Sequence, residues 1–279
     1  MNNGLIVINK PSGCTSRDIV NKLCKILHTK SVGHIGTLDP LAEGVLVCLT
    51  GKYTKLTNIL INHDKEYIAE FKLGMLTDTL DITGKVLKEE KYSLNIDKLK
   101  KVLNNYIKTY EQEVPIYSAV KVGGRKLYDY ARNNEEVELP KKEVTIYDIE
   151  LISVKDDLIK IKCHVSKGTY IRSLIRDIGN SLGTYATMTK LTRTKLGNFH
   201  INNSYTINYI ENNNYKMLDI KDFMDIEEVD ITNEEDYIHI KNGNIMNVKT
   251  NKYILYKYNN LIVALYEPYQ DKIKPLIIF

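Results

Sequence analysis

The chain has 279 residues, 43% of them hydrophobic and 27% charged, with a formal net charge of +4. That length and balance fit one large globular domain plus a small one, and they exclude a low-complexity or disordered chain. No apolar run reaches the roughly 18 residues a membrane span needs, so no span is expected. Residues 4–9 (GLIVIN) read as a strand, ended by Lys10-Pro11-Ser12-Gly13. No basic stretch precedes this short apolar run, so no signal peptide is expected. Thr15 or Ser16 is placed to cap a helix running to about residue 28, with Ile19, Val20, Leu23, Ile26 and Leu27 on its apolar face.

Residues 33–44 (GHIGTLDPLAEG) hold three glycines and a proline, which forbid a long helix or strand. The apolar flanks on both sides predict a loop gripped by a core. Pro40 disfavours the α region for Asp39, so Asp39 is expected to be extended and to project from the loop. An Asp-Pro pair is also ordinary turn chemistry. Residues 45–50 (VLVCLT) have the length and composition of a buried strand.

The spacing predicts a helix over 52–61, with Leu56, Ile59 and Leu60 on one side. Residues 65–75 alternate, Tyr67, Ala69, Phe71 and Leu73 facing one way, as in a half-buried strand. A polar connection follows at 78–84 and a helix at 96–107. Residues 111–142 mix tyrosines with Lys121, Arg125, Lys126 and Arg132 around Gly123-Gly124. Cationic and aromatic side chains around a glycine turn suit RNA contact, although a plain hairpin with a solvated face reads the same way.

Strands are expected over 144–154 and 158–165. They lead to a helix capped by Thr169, with Ile171, Leu174, Ile175, Ile178 and Leu182 on its apolar face. Arg172 falls in the first turn, where a cation is unfavourable by some tenths of a kcal/mol, so an anionic partner is expected. Asp177 or another acid is one candidate partner. Another strand is expected over 185–194. Residues 210–236 read as an acidic, asparagine-rich linker with short helices. Residues 229–279 read as a small β module with turns at Asn242-Gly243 and Asn259-Asn260.

Charge is unevenly placed. Residues 211–236 carry ten acids against Lys216 and Lys221, a local −8 that leaves +12 elsewhere, enough to hold a polyanion. Arginine is scarce, six residues against 33 lysines, so each arginine is a candidate for work that needs its planar fork. The four cysteines, Cys14, Cys24, Cys48 and Cys163, show no CxxC pair. Neither a zinc site nor a disulfide framework is expected, and a reducing cytoplasm is.

The run GHIGTLDPLAEGVLVCLTGKYTK resembles the catalytic signature of the TruB-type tRNA pseudouridine synthases, and residues 64–84 resemble their second motif. The resemblance runs over about residues 4–200. It implies an α+β fold: a mixed, mainly antiparallel sheet core with flanking helices over 1–228. It also implies an RNA-clasping insertion over about 111–142 and a small β-rich PUA-like RNA-binding domain over 229–279. The implied activity is conversion of uridine 55 in the tRNA T-loop to pseudouridine, with base flipping.

On that resemblance Asp39 is the nucleophile, Tyr67 the active-site tyrosine and Arg172 its arginine, expected to grip Asp39 bidentately. His34 fills the vacated base stack, and Tyr170 and Leu191 line the base pocket. Lys10, with Pro11, packs against the active-site loop and is counted with the substrate-contacting residues. Lys121, Arg125 and Lys126 clasp the RNA. The reaction exchanges one bond to the sugar for another, so neither metal nor organic cofactor is expected. The implied partner is the T-arm of tRNA; no protein partner is implied, and a monomer is expected. A competing reading is a non-catalytic RNA-binding or tRNA-folding protein on the same fold. A hydrolase working with paired acids would want a second carboxylate in the motif.

Overall fold

The computed structural model describes residues 3–279. β1 (Gly4–Lys10) runs into α1 (Ser16–Ile26), which Thr15 caps: its hydroxyl accepts from Asp18 N, and the Asp18 carboxylate accepts from Thr15 N. β2 (Val32–Ile35) and β3 (Glu43–Thr50) pair antiparallel, Gly33 opposite Leu49 and His34 opposite Cys48. The expected loop over 33–44 is therefore shorter, because its first residues join the sheet.

The helix expected over 52–61 is a 3-10 turn, Gly51–Leu56, followed by α2 (Thr57–Leu60). The Gly51 carbonyl accepts from the Ser31 and Thr54 hydroxyls, side-chain bonds that compete with the main-chain ladder of a regular helix. β4 (Lys65–Leu73) keeps the predicted alternation, with Lys65, Tyr67, Ala69, Phe71 and Leu73 all buried. β5 (Met75–Thr77) and β6 (Val86–Glu89) form a hairpin, and α3 (Ile96–Asn105) follows.

The expected insertion is β7 (Thr109–Glu113), the small hairpin β8 (Lys121–Val122) and β9 (Arg125–Lys126), and α4 (Leu127–Arg132). Then come β10 (Lys141–Lys155), β11 (Leu158–Val165), α5 (Ile171–Leu182), β12 (Ala186–Leu196), β13 (Phe199–His200) and α6 (Ile207–Glu211). Thr169 does not cap α5. Its hydroxyl donates to the Ser166 carbonyl, and the N-cap position falls to Tyr170, whose side chain makes no capping bond.

The main sheet has the order β1-β3-β12-β4-β11-β10-β7, with β2 beside β3 and β13 beside β12. Its pairs are antiparallel except β3 with β12, a parallel contact that sets Thr192 and Arg193 beside Glu43 and Gly44. β3 is buried on both faces from Gly44 onward, in keeping with the continuously apolar run Val45 to Leu49. Leu46 and Cys48 face a core formed with α1, α3 and α5, while Val45, Val47 and Leu49 face a second core.

A smaller sheet follows: β14 (Ile226–Asp230), α7 (Glu234–Lys241), β15 (Tyr253–Tyr258), β16 (Leu261–Tyr269) and β17 (Lys272–Ile278), in the order β14-β15-β16-β17. This sheet begins at Ile226, so the boundary expected at 228/229 falls inside β14. Asn259 and Asn260 both have positive φ and turn the β15–β16 hairpin. Asn242, by contrast, ends α7. Residues 210–225 are not a free tether. Leu218 exchanges main-chain bonds with Leu5, and Ile220 is buried in the second core beside Leu255, Leu265 and Ile277 of the small sheet.

Candidate active site

The loop between β2 and β3 is held from both sides. Ser16, buried at the start of α1, uses its hydroxyl to donate to Leu38 O and accept from Leu38 N, at 3.1 and 2.9 Å. Gly13 N donates to Pro40 O, Ser12 Oγ to Leu41 O, and the fully buried Lys10 ammonium to the carbonyls of Pro11, Cys14 and Pro40. On the other side Arg193, 1% exposed, donates from Nε to Val45 O and from Nη2 to Gly36 O, each at 2.7 Å. Gly44 lies so close to this strand that a Cβ there would fall 2.3 Å from Arg193 O, and its φ is +102°.

Within that frame Ala42 N donates to Asp39 O, closing a turn with Pro40 in its second position. The turn expected at Asp-Pro is therefore formed, and it leaves the Asp39 side chain free to face elsewhere. The Asp39 carboxylate, 38% exposed, faces Arg172. Arg172 Nε stands 2.9 Å from Asp39 Oδ2. The expected bidentate grip is not formed: Nη1 donates to Thr79 O at 2.9 Å and Nη2 to Tyr117 O at 3.0 Å. Asp177, the other candidate partner, is taken by Arg176, 2.8 Å from Nη2 to Oδ1.

These groups open onto a cleft of about 830 Å³ whose wall includes Asp39, Tyr67, Tyr170, Arg172, Leu191 and Arg193. Five of the predicted site residues are thus brought together. Tyr67 projects from β4 opposite Arg193 of β12, and both side chains line the cleft. Burial raises the Tyr67 pKa, and the neighbouring Arg193 charge works against that rise. Burial likewise raises the Tyr170 hydroxyl.

The remaining predicted residues lie elsewhere. Lys10 is behind the loop, its ammonium committed to three carbonyls and away from the cleft wall; burial lowers its pKa. His34 is on β2 outside the cleft lining. Its Nδ1 is buried without a partner, and burial followed by the Arg17 charge lowers its pKa. Lys121, Arg125 and Lys126 sit on the β8–β9 hairpin. There Arg125 pairs with Glu135 at 2.8 Å and lies over the Tyr130 ring, while Lys126 donates to Tyr128. The same insertion reaches the cleft through Tyr117, Ser118 and Tyr128.

Sequence reasoning assigned no role to Arg193 or Lys65. The scarcity of arginine was the available signal for Arg193. Lys65 shares the buried face of β4 with Tyr67 and lines the cleft, and burial followed by the Arg193 charge brings its pKa down to about 8. Glu143, exposed on β10, is a second carboxylate on the cleft wall. The whole is an oriented carboxylate, a fixed guanidinium and two aromatic rings around a space that admits a nucleobase.

Comparison with known proteins places the chain in a family. The profile described as TruB family pseudouridylate synthase (N terminal domain) matches residues 24–171, and that of the tRNA pseudouridylate synthase B C-terminal domain matches residues 172–226. The chain is 46% identical over 268 residues to the tRNA pseudouridine synthase B of Fusobacterium nucleatum, covering 93% of each chain. It is 39% identical over 284 residues to that of Caldanaerobacter subterraneus, covering 99% of each. Among solved structures it superposes on a Cbf5-Nop10-Gar1 complex with TM-score 0.67 and 23% identity, covering 95% of this chain and 78% of the other. That likeness speaks to the fold, the expected α+β core with a mainly antiparallel sheet.

Proposed function

The chain belongs to the TruB family of tRNA pseudouridine synthases, and from that premise we propose that its target is uridine 55 in the T-loop of tRNA. The observation that carries the reading is the Asp39–Arg172 pair on the wall of a cleft, also lined by Tyr67 and Tyr170, that is roomy enough to take a nucleotide. Asp39 is the nucleophile. An ionised carboxylate needs no activating base, only orientation, and Arg172 supplies it. The uridine leaves its stack to reach Asp39, at a cost of a few kcal/mol. His34 takes the vacated place in the stack. Tyr67 and Leu191 hold the detached uracil while it turns, and Tyr67 is the group beside C5 when the proton there is lost. The reaction returns every atom to the substrate, so the residues present suffice without a cofactor.

Lys121, Arg125 and Lys126 contact the T-arm backbone. The C-terminal sheet serves as a PUA-like auxiliary RNA-binding module. Residues 226–279 hold eight acids and six lysines, so the main electrostatic grip belongs to the catalytic part of the chain. The protein works as a cytoplasmic monomer. A purely RNA-binding role would leave the commitment of Arg172 to Asp39 without a purpose. The test is incubation with an unmodified tRNA transcript followed by chemical mapping of pseudouridine. Modification at position 55 is expected; none, or modification only elsewhere, contradicts the assignment.

A further inference from the structure

α5 carries Arg172 in its first turn, yet the start of this helix has no cap of its own. Tyr170 is the N-cap residue and its side chain makes no capping bond, while the neighbouring Thr169 hydroxyl is committed to Ser166 O. The main-chain N–H of Tyr170 is instead held by the side-chain oxygen of Gln112, 2.8 Å away and 58 residues distant in sequence. Gln112 lies on β7, the first strand of the insertion.

Gln112 is 1% exposed. Burying a primary amide is costly unless both its ends are bonded. Here both are: its Nε2 donates to the Tyr110 hydroxyl at 2.8 Å, and that hydroxyl points on toward Asp177 Oδ2 at 3.5 Å. The residues around it fasten the same two segments together. Ser173 Oγ donates to Glu113 O at 2.8 Å, and Arg176 Nη1 to Glu113 Oε1 at 2.7 Å. Arg172 Nη2 donates to Tyr117 O, again from the insertion. Gln112 differs from these because it grips the main chain at the start of α5, two residues before Arg172, which faces Asp39.

We propose that Gln112 is a positioning residue for the isomerisation, holding the start of α5 so that the Tyr170 ring and the Arg172 guanidinium stand in register with Asp39. This rests on the reading of Asp39 and Arg172 as the catalytic pair. Gln112 does not face the cleft and touches no reacting group, so it acts through geometry. A shift of about 1 Å in the group it orients is enough to cost on the order of a hundredfold in rate. It follows that the insertion has two tasks: its tip meets RNA, and its first strand sets the catalytic arginine.

The experiment compares single-turnover conversion and equilibrium binding of an unmodified T-arm stem-loop by the full chain and its variants. Gln112→Met keeps the shape and removes both bonds, and its rate should fall about 10–100-fold with binding within twofold. Gln112→Glu keeps an acceptor for Tyr170 N and should recover most of that loss, which a general packing defect would not show. Should Gln112→Met fail to fold, Tyr110→Phe removes only the far anchor of the amide, and a smaller fall at unchanged affinity is expected. A Gln112→Met rate equal to wild type, a loss of binding that accounts for the loss of rate, or a Glu variant no better than Met overturns the proposal. An inactive wild type on the same stem-loop would instead overturn the uridine-55 reading.

Discussion

Arg172 meets Asp39 through Nε, 2.9 Å from Oδ2, while its two terminal nitrogens hold the main-chain oxygens of Thr79 and Tyr117. The guanidinium is 5% exposed, so its orientation is fixed by the fold before any substrate arrives. What Arg172→Lys gives up is therefore the hold on these two main-chain oxygens, because an ammonium cannot reach three acceptors in a plane. Two carbonyls are left short of donors, at about 1–3 kcal/mol each. The variant should melt at lower temperature and turn over between wild type and a variant lacking the carboxylate. Wild-type stability in a melting experiment would show that the two carbonyls find other donors.

Lys65 gives a pH signature. Its pKa is lowered from 10.5 to about 8, so between those values the unfolded chain binds more protons than the folded one. Its contribution to stability accordingly rises as pH climbs from 8 toward 10.5, and the cost of burying the ammonium is present below 8. Attraction for RNA runs the other way, since the charge facing the cleft disappears as pH passes 8. At fixed ionic strength, affinity for the stem-loop should weaken between pH 7 and 9 in wild type and stay flat in Lys65→Met. Equal pH dependence in both would remove Lys65 from the RNA-facing charge.

Salt dependence tests the hairpin. Charge reversal at Lys121, Arg125 and Lys126 should shrink the log–log slope of affinity against salt by about 0.7–0.9 per lost phosphate contact. Arg125 should contribute least, because Glu135 already neutralises it at 2.8 Å. An unchanged slope would make the β8–β9 hairpin an ordinary surface.

The legible parts of this fold are those in which side chains speak for themselves. The alternation through Tyr67, Ala69, Phe71 and Leu73 gave β4 and its buried face, and Thr15, one of two candidate caps with Ser16, gave the start of α1. Asp39 was legible as a turn residue before Pro40, and its main chain makes that turn. The partners of Arg172 were not, because Thr79 and Tyr117 offer main-chain oxygens, which carry no sequence signal. The N-cap of α5 was misplaced for a related reason: a local Thr169 looked sufficient, whereas the position falls to Tyr170, whose N–H is held by Gln112 from a distant strand. α7 was missed because Ile240 is buried while Ile238 is exposed, leaving no clear apolar stripe; only Asn233 and the acids after it marked its start.

The small sheet packs on the second core, where Leu255, Leu265 and Ile277 join Val7, Val45 and Val47 of the large sheet, and Phe279 meets Tyr53 edge-on at 6.0 Å. Each such aliphatic contributes about 1.5–3 kcal/mol when buried. A chain ending at Asp225 keeps every residue of the cleft wall yet uncovers this core. It should unfold at clearly lower urea concentration than the full chain. An equal midpoint would show that the two sheets are energetically independent.

The central claim is that the Asp39 carboxylate carries the chemistry. Asparagine has nearly the same shape and still accepts from Arg172, so Asp39→Asn should fold and bind the stem-loop as wild type does. Removing one electrostatic contact from a site costs about 10²–10³ in rate; removing the nucleophile should cost far more. The direct measurement is single-turnover formation of pseudouridine in a T-arm stem-loop by Asp39→Asn at saturating enzyme, with binding measured independently. Normal binding with pseudouridine below detection is the predicted result. Turnover within a thousandfold of wild type would contradict the nucleophile assignment, and loss of binding together with activity would reduce Asp39 to the turn residue its main chain already makes it.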